Sequence, residues 1–179
     1  MPWAYYPIFI GTVASIVSLS LLAKHEYSTS EVRTLSQLGS GHSKALQQFR
    51  TILWVCGTLI TITMLFFLVP RLHSVILAPI WLLTYVCEVL LGVVPDHKGW
   101  QSKVHNILAY GMALGFLFTA IYFSYKLTGL YRFISLSILL GMILTVALTA
   151  RNRKHFLFYE LGYIYLSHIG IVIATLAVR

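Results

Sequence analysis

An all-α integral membrane protein, built as a bundle of six transmembrane helices with one long polar first loop, is the fold class this sequence predicts. Three observations carry the prediction. The 179 residues are 58% hydrophobic and only 10% charged, with a mean hydropathy of +0.81, whereas soluble domains carry about 25% charged residues. A chain this small cannot hide the difference in a larger core, because small domains keep much of their surface. The sequence also divides into six apolar runs, each close to the roughly 20 residues that cross a bilayer as a helix. At those lengths only a helix satisfies its own backbone in lipid.

The runs are residues 8–23, 51–69, 74–94, 104–125, 133–149 and 157–178, and they make one domain of residues 1–179. The first is short, but Trp3, Tyr5 and Tyr6 precede it as an interfacial belt. No basic segment stands before it, so it reads as a retained helix and not as a secretory signal. Thr12, Ser15 and Ser18 recur along one face, where small hydroxyl residues favour close helix packing. Lys24 to Arg50 is the one long polar segment, read as a connector that folds back over the helix ends. The second run ends at Pro70 and the third breaks at Gly92 and Pro95. The fourth carries Gly111 and Gly115 in a GxxxG spacing that lets a neighbouring backbone approach.

Charge sets an expected orientation. The first, third and fifth loops hold nine of the 13 Lys and Arg residues. The positive-inside rule therefore places the odd loops in the cytoplasm and both termini outside, in a multi-pass protein of the cell (inner) membrane. All five acids, Glu26, Glu31, Glu88, Asp96 and Glu160, fall toward that odd-loop end. The net charge of +8 comes without a basic helix or long basic run, which argues against nucleic acid as a partner. Cys56 and Cys87 are too few for a disulfide framework and lie inside apolar runs.

Candidate functional residues follow from cost. An ionisable group inside a span is expensive, which makes Glu88 the sharpest candidate. Trp81, Thr84, Tyr85 and Gly92 share its helix face and would give it polar neighbours; a role as interhelical glue competes with a functional one. Glu160 and His168 lie on one broad face of the sixth helix with Tyr163 and Ser167. Pairing with Arg153 or Lys154 would explain Glu160, and an interhelical hydrogen bond would explain His168. Asp96 and His97 occupy the turn after Pro95, and His105 opens the fourth helix. Ser36 and His42 in the first loop complete the set if that loop covers the same end. Glu88, Asp96, His105 and Glu160 together offer mixed N/O ligands for a divalent metal. No compact ligand motif accompanies them, so no cofactor is expected and the metal is kept as the alternative. Nucleophile elbow, P-loop and Rossmann patterns do not occur, and His105 and His168 differ too much in depth to hold a haem between them.

The run Gly92-Val-Val-Pro95-Asp96 followed by His105 resembles the signature of the domain-of-unknown-function-998 family of six-helix membrane proteins. Thr34-Leu-Ser36-Gln-Leu-Gly39, with Ala45 and Phe49, is similar to that family's stretch before its second helix. The more distant DRAM and FGF-receptor-activating-protein superfamily has a comparable layout. The resemblance implies a six-helix fold and a site near Asp96 and His105, but no reaction. It also implies a first loop outside the cell, opposite to the charge count.

Three functions fit these observations. The leading expectation is a membrane protein of unassigned activity whose odd-loop face binds a lipid headgroup, a protein partner or a second copy of the chain. The alternatives are a metal-dependent lipid hydrolase using Glu88, Asp96, His105 and Glu160, and a proton-coupled carrier with Glu88, Glu160 and His168 as a relay.

Overall fold

In the computed structural model, which describes residues 5–29, 34, 43–94, 96, 99–151 and 155–178, each apolar run is matched by one main helix. These are α1 (Tyr5–Thr29), α2 (Ser43–Thr63), α3 (Leu77–Val93), α4 (Trp100–Lys126), α5 (Gly129–Arg151) and α6 (Phe156–Ala177). No strand occurs among the described residues. Most helices outrun the apolar segments that announced them, because intrahelical hydrogen bonding continues into the headgroup zone after side-chain hydropathy has fallen. Ser36, His42, Pro95, His97, Arg153 and Lys154 lie outside the described residues, as does most of the first loop.

α1, α2, α4, α5 and α6 are long and apolar enough to cross a membrane. α3 has 17 residues, about 25 Å at 1.5 Å per residue, against a hydrocarbon core of about 30 Å. The helices form a closed ring: each packs on its sequence neighbours, α1 closes against α6, and α4 also touches α6. Short connections make successive helices antiparallel. Both ends of the described chain lie against residues 67–71: Arg71 Nη1 donates to Val178 O at 2.9 Å, and the Tyr5 and Phe67 rings lie edge to face at 5.2 Å.

Two apolar layers fill the ring. One is centred on Trp81, Phe116, Phe123 and Met142. The other joins Leu19, Leu22, Phe49, Leu53, Leu91, Leu157 and Leu161 at the odd-loop end. α1 turns its small hydroxyl residues inward, with Thr12 and Ser15 buried.

α2 continues beyond Thr63 through a π-helical stretch, Met64–Leu68, and a last turn, Val69–Arg71. Pro70 explains the widening. Its ring has no N–H and would crowd the carbonyl four residues back, and a π turn relieves that clash by lengthening the local repeat. Val69 N–H accordingly reaches Met64 O. The helix then closes in a Schellman motif, with Ser74 N–H to Val69 O and His73 N–H to Pro70 O, both 3.2 Å. His73 occupies the left-handed position at φ 47°, where glycine is preferred. His73→Gly is expected to raise stability by about 1 kcal/mol by removing that strain, read as a higher Tm in detergent. An unchanged or lower Tm would show that the histidine side chain offsets its own backbone cost.

Candidate functional site

The site grows from the way α3 ends. The last carbonyls of a helix have no intrahelical donors, so other groups must donate to them. Val94 N–H closes onto Leu90 O at 2.8 Å. The carbonyls around it take side chains from both flanking helices. His105 Nδ1, from α4, lies 2.7 Å from Val94 O, which puts the ring proton on Nδ1 facing that oxygen. Arg50 Nη2, from α2, reaches Val93 O at 3.5 Å, and Trp54 Nε1 reaches Val89 O at 3.2 Å. Cationic groups at a helix C-terminus also meet the negative end of its dipole.

Arg50, Trp54 and Gly57 stand at positions i, i+4 and i+7, one stripe of α2. Running antiparallel to α3, that stripe meets Val93, then Gly92 with Val89, then Glu88. A Cβ at Gly92 would lie 2.7 Å from Trp54 Nε1, so the indole reaches its carbonyl only over a bare backbone. One further turn down, the Glu88 carboxylate rests on Gly57, where a Cβ would come within 2.7–2.9 Å of Oε1, Cδ and Oε2. Glu88 is 5% exposed. Among the described residues no hydrogen bond or ion pair reaches its carboxylate.

The polar neighbours expected on its own helix are engaged elsewhere. Trp81 Nε1 donates to Thr61 Oγ1 at 3.0 Å, Thr84 Oγ1 donates to Ile80 O at 2.8 Å, and Tyr85 OH pairs with Thr58 Oγ1 at 2.7 Å. The opposite face of α3 seats itself on α4: Cys87 lies over Gly111 and Thr84 over Gly115, the two glycines of the GxxxG spacing.

The remaining candidates do not converge. Asp96 is half-buried beyond the end of α3, and Glu160 is half-buried one turn into α6. His168 is 4% exposed and packs edge-on against Phe116 of α4 at 5.9 Å; its Nδ1 has no hydrogen-bond partner among the described residues. Among the described residues no three His, Cys, Asp or Glu side chains come close enough to hold a metal ion. Glu88, Asp96, His105 and Glu160 therefore do not assemble as a ligand set, because Glu88 faces α2 while His105 is turned to a backbone carbonyl. Of the buried members of the relay, Glu88 lies between α2 and α3 and His168 packs on Phe116 of α4.

Arg50, Trp54 and Gly57 went unnoticed in the sequence, where Arg50 counted only as a topology charge. Their i, i+4, i+7 spacing at the head of the second run is the signal that would have found them. No protein-family model, curated protein or solved structure matches the chain.

Proposed function

We propose that this integral membrane protein binds the headgroup of an anionic lipid at its odd-loop end, with Arg50 as the residue that meets the phosphate. One observation carries the reading. Arg50, about two turns into α2, is half-buried, and its Nε is buried with no hydrogen-bond partner among the described residues. Its bond to Val93 O is long at 3.5 Å. A guanidinium offers five donors in a fork that matches phosphate oxygens, so most of that capacity is left for a ligand. Lys44 and Lys103 are exposed at the same end. The shortness of α3 supports the reading too, since a short span draws the headgroup zone inward beside it.

On this reading the odd loops face the cytoplasm and both termini lie outside, which puts Arg50 in the leaflet that carries anionic lipid. The chain acts by binding and not by catalysis. We also propose kinship with the six-helix family of the domain of unknown function 998, on the pattern Gly92 to Asp96 with His105.

Native mass spectrometry of protein released from micelles doped with phosphatidylglycerol or phosphatidylcholine tests the proposal. Wild type is expected to retain phosphatidylglycerol selectively. Arg50→Gln is expected to weaken that retention by roughly tenfold, the scale of one charge-assisted hydrogen bond, while Arg50→Lys keeps part of it. Equal retention of phosphatidylglycerol by wild type and a folded Arg50→Gln variant would rule the site out.

A further inference from the structure

A second polar centre lies deeper in the ring, where α4, α5 and α6 meet. A small cavity there is lined by Phe116, Thr119, Phe123, Ser135, Ser167 and Gly170, among others, with room for about one water molecule. Each helix contributes a hydroxyl, and all three hydroxyl residues are buried: Thr119 is 2% exposed, Ser135 4% and Ser167 5%. Thr119 Oγ1 has no hydrogen-bond partner among the described residues.

The hydrogen bonds around the cavity decide which hydroxyls there still have a proton to give and which have lone pairs. Ser124 Oγ donates to Ala120 O at 2.9 Å, so in its 3.2 Å contact with Ser135 Oγ it accepts and Ser135 donates. Ser167 Oγ donates to Ile164 O at 2.7 Å. Ser135 and Ser167 have thus spent their protons and keep lone pairs, whereas Thr119 keeps a proton to give. A ligand that fits must donate twice, accept once and be no larger than the cavity. Water meets all three conditions, and about three hydrogen bonds is the usual number for a buried water.

We propose that Thr119, Ser135 and Ser167 bind a water molecule that ties α5 to α4 and α6. α5 needs such a tie. It is the least covered of the five long helices, and Leu130, Phe133 and Leu140 on its outer side are 66–71% exposed. Without the tie Thr119 Oγ1, buried at this junction, would lie unsatisfied in hydrocarbon.

Radiolytic footprinting of the whole protein in nanodiscs tests the site. An X-ray pulse converts bound water to hydroxyl radical, which adds oxygen to adjacent side chains. Phe116 and Phe123, 3% and 1% exposed, are expected to take up oxygen severalfold faster than Phe67, which is 6% exposed but not part of this cavity. Uptake no faster than at Phe67 would overturn the proposal. Gly170→Ala directs a methyl toward Ile138 Cγ2, 3.5 Å away across the cavity lining, and is expected to abolish the excess labelling; labelling that persists in the folded variant would place the water elsewhere. Thr119→Val separates the two cases by sign. With water bound it removes a hydrogen bond and lowers Tm, whereas without water it removes an unsatisfied hydroxyl and raises Tm.

Discussion

Gly115→Ala is expected to destabilise the protein by about 2 kcal/mol, a large effect for adding one methyl group. The new Cβ would fall on Thr84 Oγ1 and lie within 2.8 Å of Thr84 Cβ. The hydroxyl cannot simply swing aside, because it donates to Ile80 O at 2.8 Å. Either that bond breaks or α3 and α4 separate, and these two helices form one of the most extensive contacts in the ring. Overpacking typically costs about 1–3 kcal/mol, and backbone-level contact puts this site at the upper end. The better helix propensity of alanine returns at most about 1 kcal/mol. Thr84→Ala removes the overlapping oxygen, so the double variant is expected to be more stable than the sum of the two single effects, by about 1 kcal/mol. Thermal melting of the four proteins in one detergent gives the cycle. Strict additivity would mean that Thr84 and Gly115 do not touch in the membrane.

Glu88→Met is expected to act in the opposite direction and stabilise the fold by about 1–3 kcal/mol. The two side chains are similar in volume, so the place against Gly57 stays filled, while a buried polar group without a partner among the described residues is removed. Glu88→Ala lacks that benefit, since it replaces the carboxyl with a cavity. Its Tm is therefore expected to fall below that of Glu88→Met. A carboxyl whose loss stabilises its own fold is held for function, and the lipid-retention measurement on Glu88→Met shows whether that function is headgroup selectivity. A Glu88→Met protein that melts below wild type would mean that the carboxylate is satisfied in the membrane.

The two results bear on different parts of the same helix. α3 carries small or polar groups on both flanks, Thr84 and Cys87 toward α4 and Glu88 and Gly92 toward α2. Its neighbours therefore approach closely on each side, which is how so short a helix is held within the ring.

The membrane class, the six helices and their order were determined by the sequence alone. So was the gathering of acids and most cations toward one end. These are local properties: the length of an apolar run and the side chains at its limits are sufficient to state them. Gly111 and Gly115 were legible for the same reason, since a four-residue spacing specifies a face whatever lies opposite.

Only the tertiary structure decided what each polar group meets. The helices are apolar nearly all round, so their sequences carry little sign of which face turns inward. Rotation and register are set instead by glycines receiving side chains from other helices. Gly57 and Gly92 bring α2 against α3 so that Arg50 and Trp54 reach the end of α3 while Glu88 gains no partner there. His105, which in the sequence resembled a metal ligand, became a donor to Val94 O because the end of α3 leaves a carbonyl to satisfy. The hydroxyls of Thr119, Ser135 and Ser167 are scattered over nearly fifty residues of sequence and meet only because the ring closes.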